Sequence, residues 1–323
     1  MAQTTLPIDV TEEIQDLRTN RPAWVQTFWD FARSYPYLLP AIVFFVGWQI
    51  LPIYEALRIS FTNDNFLDQV PGKWIGLQNY RDVLNDGLFW RGVLRAFIFT
   101  SIFVPGMILI PMVVAVLIDR VTNGKIATTY RLILLIPSMI PAPLIFVLWG
   151  WMYHNYIGPI NYLLVDVFHI YDVRTQPQWL AGDQMVFGSI AIMEWWWGLG
   201  YHTMFFLAGL ATISKDIFDA ARVDGAGEFR MFWGITFFRL LPIILVLAVI
   251  RFGSAMAVID EYLILGGGFN REKPTYTWTV YMYDTAFRGG FQPRGYAAAI
   301  GWVGAFFMLI VVLGLFYLFR SRD

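Results

Sequence analysis

The chain alternates between apolar stretches long enough to cross a bilayer and polar segments too short to bury a core of their own. A helix needs about 20 apolar residues to span the hydrocarbon. Six stretches reach that length: 37–61, 93–118, 132–153, 186–210, 240–265 and 296–319. Between them lie polar connections at 63–90, 119–131 and 154–185, and a polar interruption at 211–239. Proline falls inside the first three stretches: Pro40 and Pro52, then Pro105 and Pro111, then Pro137, Pro141 and Pro143. Each proline removes a backbone donor, so kinks are expected there unless neighbours satisfy the freed carbonyls. The pattern predicts an all-α, polytopic membrane protein with six transmembrane helices forming one domain over 37–323.

Residues 1–36 read as a separate polar tail. Asp9 and Glu12 have capping-box spacing, and Trp24, Phe28, Phe31 and Ala32 share one helical face. That face fits an interfacial helix on the cytoplasmic headgroups, or a tail packed on the chain's own spans. The tail holds no apolar run of signal-peptide length, so no cleaved signal is expected.

Composition narrows the class. Only 15% of residues are charged, against about 25% in a soluble domain, while 57% are hydrophobic. The net charge of −1 and the lack of a basic stripe argue against nucleic acid as a partner. With no cysteine there is no disulfide framework, thiol nucleophile or thiolate metal site. His154 and His169 lack metal-ligand spacing, and no metal is expected. No nucleotide-binding glycine loop, nucleophile elbow or zinc-protease motif occurs, so the chain is not expected to be an enzyme.

Orientation follows from lysine and arginine. With the amino terminus inside, twelve lie on the cytoplasmic side and eight opposite, spread over longer loops. A multi-pass protein of the cell's inner membrane is predicted, with both termini and the 211–239 loop in the cytoplasm.

That loop is the organising polar interruption. Ala220, Ala221 and Arg222 favour helix, and Gly225 follows where a turn is needed. A helix, a turn and a second helix are expected, too small to stand alone and so docked on something else. Here a resemblance enters. Asp219-Ala220-Ala221, with Gly225 and Ile235 at their spacings, Asp224-Gly225-Ala226 and the later Pro242, resembles the EAA loop of binding-protein-dependent ABC importer permeases. Gly76-Leu77-Gln78-Asn79-Tyr80, Gly266-Gly267-Gly268 and Gly295-Tyr296-Ala297 resemble further segments of that family, in its sugar-uptake branch. Asp219 stands where the family has Glu, and Phe237-Phe238 where it usually has Leu-Pro; the missing proline predicts a more continuous helix after the loop.

The resemblance implies a type I importer permease fold and a chain that passes an oligosaccharide or sugar derivative inward by alternating access. It implies a second related permease, two ATPase subunits carrying ATP and Mg, and an extracytoplasmic solute-binding protein; this chain itself needs no cofactor. It puts Asp219, Ala220, Ala221, Asp224 and Gly225 at the ATPase contact, and Gly266, Gly267 and Gly268 near the binding protein. An ion-gradient-driven secondary transporter or a membrane-embedded enzyme are the alternatives, the first opposed by the lack of repeated halves.

Charges inside spans are costly and mark a partner or a wet cavity. Glu194, before Trp195-Trp196-Trp197, and Arg251 and Asp260 in the fifth span, are candidates for the substrate path together with Trp197. Glu194 and Arg251 are candidates to meet across two helices, whereas Arg251 and Asp260 are poorly spaced to pair. Structural ion pairing is the competing reading for all three.

Overall fold

The computed structural model describes residues 36–65, 72–183, 185–288 and 293–320. The tail helix, its capping box and its aromatic face lie outside them. Two compact units divide at Arg58.

In the first unit, α1 (Pro36–Ser60) is a 25-residue apolar helix. Its interior prolines, Pro40 and Pro52, are absorbed without a break. A wider π-helical turn over Val46–Ile50 precedes Pro52, and the Leu51 amide reaches back to the Val46 carbonyl. Such a turn gives room for the proline ring, which would otherwise meet the carbonyl four residues earlier.

The second unit is built on α3 (Gly87–Asp119), a 33-residue helix that continues through Pro105 and Pro111. Short α2 (Gln78–Asn85) leads into it. Three buried clusters form along its length. Phe99, Phe103 and Met107 pack with α5 (Ala142–Met152) and α7 (Val186–Leu210). Phe89, Val93 and Ala96 meet α12 (Trp278–Phe287) and α13 (Arg294–Arg320). Ile108, Met112 and Ala115 meet the far end of α7 and α10 (Leu241–Met256).

The third apolar stretch is two helices. It starts earlier than predicted, because Asn123 caps α4 (Gly124–Leu135) by accepting from the Lys125 and Ile126 amides. It then breaks through a 3₁₀ turn at Pro137–Met139, with Ile140 extended at ψ 130° before Pro141, as the residue before a proline prefers. Helix resumes as α5, and a short helix, α6 (Pro159–Tyr162), follows in the next connection.

The continuity expected after Phe237-Phe238 is not found. Helix α9 (Glu228–Arg239) meets α10 at a 69° bend, and Pro242 at the start of α10 takes over the missing proline's effect. The fifth stretch also breaks after Met256, resuming as α11 (Asp260–Ile264). The carbonyls freed at this break are satisfied by α12, an element the apolar pattern does not show: Trp278 Nε1 donates to the Met256 carbonyl at 2.9 Å and Thr279 Oγ1 to that of Val258 at 2.6 Å. By length and composition α1, α3 and α13 each suffice to cross a membrane, as does the bent pair α9–α10.

One carboxylate ties three elements at the amino end of α3. Asp86 accepts from the Leu88 amide at 2.8 Å, from the Tyr281 hydroxyl at 2.7 Å and from the Tyr296 hydroxyl at 2.9 Å. Burial pulls this carboxyl upward, but the tyrosines and amides outweigh it and hold it below its ordinary range. The stabilisation is therefore present above the ordinary carboxylate range and lost as pH falls through the lowered value. Asp86→Ala removes a cap worth about 1 kcal/mol and leaves two hydroxyls to lose about 1 kcal/mol or more each. We expect a clear fall in the melting temperature of the purified protein, smaller in Asp86→Asn, whose amide oxygen keeps the cap but not the charge; an unchanged melting temperature in Asp86→Ala would show that the cap and its tyrosine bonds do not set stability.

Candidate functional site

The 211–239 interruption folds as expected into a helix, a turn and a second helix. Ser214 caps α8 (Lys215–Val223) by accepting from the Asp216 amide. The helix stops in a Schellman turn: the Ala226 amide reaches the Ala221 carbonyl at 2.9 Å and the Gly225 amide that of Arg222 at 3.0 Å. Gly225 has φ +77°, a left-handed conformation that glycine adopts without strain.

No residue of α8 is buried. Asp219 pairs with Arg222 one turn on, at 2.7 Å, so its carboxylate already has a local partner. Ala220, Asp224 and Gly225 are exposed, and Ala221 is half-buried. Two apolar side chains flank the turn in the open: Val223 is 88% exposed and Phe229 79%. Sequence reading missed both, although an apolar residue directly before Asp224-Gly225 was a usable signal. A cleft of about 210 Å³ lies beneath α8, lined by Asp119 at the end of α3 and Arg120 just past it, Phe218 and Asp219 of α8, and Glu228 and Phe232 of α9. Arg120 and Glu228 form an ion pair across it, joining the end of α3 to the start of α9.

A second polar group sits mid-bundle. Arg251 of α10 donates from Nε to His202 Nε2 of α7 at 2.7 Å. His202 Nδ1 lies 2.7 Å from the Gly198 carbonyl, which fixes the proton there and leaves Nε2 as acceptor. Glu194 does not meet Arg251 in an ion pair; its carboxyl contacts that of Glu261, with Arg251 as an electrostatic neighbour. One oxygen of Glu194 and the hydroxyl of Tyr262 are buried without a hydrogen-bond partner. Asp260 is exposed at the start of α11. The break after Met256 puts it on a different helix from Arg251, so regular helix spacing does not relate the two. His202 is the satisfied interior histidine its place in the fourth stretch suggested, whereas Glu261 and Tyr262 were missed as members of this group; the adjacent Asp260-Glu261 pair was the available signal.

The tryptophans serve different neighbours. Trp195 Nε1 donates to the Phe103 carbonyl at 2.9 Å, and Trp197 Nε1 to the Ile140 carbonyl at 3.2 Å. Trp197 thus satisfies a carbonyl beside the proline break, and its ring meets Phe146 edge-on. Trp196 packs on Trp149.

At the opposite end of α7, the Gly266-Gly267-Gly268 stretch is braced. Gly267 and Gly268 have φ +88° and +68°, and Thr275 Oγ1 donates to the Gly266 carbonyl at 2.6 Å. Arg95 donates to the carbonyls of Arg271 and Tyr276, and Lys273 to the Ala181 carbonyl and Asp183.

The family model described as the binding-protein-dependent transport system inner membrane component matches residues 82–322. The sulfoquinovosyl glycerol transport system permease SmoG of Agrobacterium fabrum is 28% identical, over 88% of this chain and 90% of that protein. The trehalose/maltose transport system permease MalF of Thermococcus litoralis is 29% identical, over 73% and 77%. The solved bacterial alginate ABC transporter, in complex with a pentasaccharide-bound periplasmic protein, matches with a TM-score of 0.74 over 91% of this chain and 96% of that one. At 21% identity the last likeness is one of fold.

Proposed function

The chain belongs to the binding-protein-dependent transport system inner membrane component family, and we propose that it is one permease subunit of an ATP-driven carbohydrate importer. It works beside a second, related permease and two ATPase subunits, and receives an oligosaccharide or sugar derivative from an extracytoplasmic binding protein. The substrates named for relatives, a sulfoquinovosyl glycerol and trehalose or maltose, support a sugar. The observation that carries the coupling role is α8: a helix with no buried residue, ended by Gly225 and flanked by bare Val223 and Phe229. A helix too weakly held to stand alone supports a cytoplasmic docking element for an ATPase, with Asp219, Ala220, Ala221, Asp224 and Gly225 at the contact. The cleft beneath it leaves room for it to move.

Six spans, both termini inside, complete the reading. Gly266, Gly267 and Gly268 form a preshaped rim for the binding protein. Glu194, Arg251, Asp260 and Trp197 are assigned to the substrate path, Glu194 with Glu261 beside it offering acceptors to sugar hydroxyls. The chemistry asked of this chain is mechanical, so ATP and Mg belong to its partners.

The test is ATP hydrolysis by the assembled complex in lipid, with and without binding protein and a panel of sugars. Stimulation by one sugar-loaded binding protein is expected; uptake driven by an ion gradient without ATP would overturn the reading. Glu194→Gln is expected to assemble normally and raise the sugar concentration needed for half-maximal uptake. Unchanged uptake kinetics would return Glu194 to a purely structural role.

A further inference from the structure

The connection between α5 and α7 has an unusual surface. Over residues 156–173 it shows water a run of large apolar side chains: Tyr156, Ile157, Tyr162, Phe168, Ile170 and Tyr171. Tyr156 is 80% exposed and Phe168 62%. Scattered exposed apolar residues are ordinary, but a concentrated patch marks an interaction surface.

This patch is not a slack loop. Asn161, fully buried, donates to the carbonyls of Asn155 and Pro177 at 3.1 and 3.2 Å and accepts from Trp179 Nε1 at 2.8 Å. Tyr153 donates to the Ser189 carbonyl, and Ser189 to that of Trp179, each at 2.8 Å. Both ends of the connection are therefore anchored to the first turn of α7. The apolar side chains are held out by a satisfied polar frame.

Place and chemistry decide the partner. The segment leaves α5 at its end and rejoins the bundle at the start of α7, so it lies at the level of the helix ends. It sits opposite the 211–239 loop, which follows the other end of α7. Its apolar surface continues an exposed stripe along α5, Leu144, Val147, Leu148 and Trp151, whose i, i+3, i+4, i+7 spacing gives one helical face. Only Asp166, His169 and Asp172 bring titratable groups into the run, and Arg174 just follows it, too few charges to suggest a surface selected for an aqueous partner. Tyrosines with an apolar body and a polar tip suit the headgroup boundary.

We propose that residues 156–173 form an interfacial platform that lies in the lipid headgroup and acyl boundary of the leaflet opposite the 211–239 loop, extending the lipid-facing side of α5. The platform fixes the height of α5 and α7 in the bilayer, as interfacial elements do by burying apolar area.

Because the chain has no cysteine, single nitroxide labels report one position each. Ile157→Cys and Phe168→Cys, with Arg174→Cys as reference, are labelled in the assembled transporter, its partners made cysteine-free, in phosphatidylcholine nanodiscs. Collision with oxygen, concentrated in lipid, is compared with collision with a nickel chelate, confined to water. The ratio of oxygen to nickel accessibility is expected to be several-fold higher at 157 and 168 than at 174. Equal ratios at the three positions would overturn the proposal in favour of a water-exposed surface. Protection of 157 and 168 from both reagents would overturn it in favour of a protein partner. Two labels in separate parts of the platform keep the test open if one variant fails to assemble.

Discussion

Gly225→Asp is expected to leave the permease assembled in the membrane and to abolish most sugar uptake, by at least about tenfold, or 1.4 kcal/mol. The turn after α8 needs a residue at φ +77°, where an L-residue is strained by about 1–2 kcal/mol. Nothing lies within 4 Å of a Cβ placed there, so the new side chain points into the space that we assign to the ATPase. The defect should therefore be one of coupling: ATP hydrolysis that no longer responds to the loaded binding protein. Gly225→Asn is the control, since Asn and Asp both tolerate the left-handed region and Asn adds a side chain of the same size without the charge; it should keep more uptake than Asp. Asp224 already carries one carboxylate at this turn, and a second beside it would repel it as well as crowd the approach. Assembly and wild-type uptake in the Asp variant would remove the coupling assignment, because neither the turn nor its approach would then matter.

What could be read in the sequence divides along a physical line. Membrane-length apolar runs report only that a segment is buried in something apolar, and those runs located α1, α3, α7 and α13 well. They do not report breaks, because a broken span is as apolar as a continuous one. The break at Pro137–Met139 was signalled by three prolines, whereas the break after Met256 had no proline to mark it and depends on tertiary donors from Trp278 and Thr279. Helix α12 escaped notice because Trp278–Phe287 mixes buried Trp278, Thr279 and Val280 with polar neighbours in too short a run. At the candidate site, the loop's helix and glycine stop follow from local chemistry and were legible. The partners of Glu194 and Arg251 were not, since pairing across helices depends on rotation and on a break. Arg251 turned to His202 and Glu194 to Glu261.

A glycine outside the candidate site is expected to matter as much as Gly225. At Gly200, midway along α7, a Cβ would sit 2.1 Å from the Leu134 carbonyl oxygen and 2.7 Å from the Leu135 amide nitrogen. These are backbone atoms of α4, and no rotamer change can relieve the overlap. Carbon prefers roughly 3.5–4.0 Å to its neighbours, so even alanine must push the two helices apart. That shift would disturb the proline break just beyond, where Ser138 bonds the Leu135 carbonyl and Trp197 that of Ile140. Small residues at such crossings let membrane helices approach closely. Overpacking of this kind costs typically 1–3 kcal/mol, sometimes more, which outweighs the gain of about 1 kcal/mol that alanine brings a helix over glycine. Gly188 lies on the same helix with nothing within 4 Å of its Cβ. We therefore expect Gly200→Ala to lower the temperature at which the purified protein loses its monodisperse form, and Gly200→Val to prevent its accumulation. Gly188→Ala should leave that temperature unchanged or raise it. The same response from both alanine variants would mean that α4 and α7 do not rely on glycine to meet. Separated outcomes would show that closeness at this crossing, rather than helix propensity along α7, holds the proline break in place.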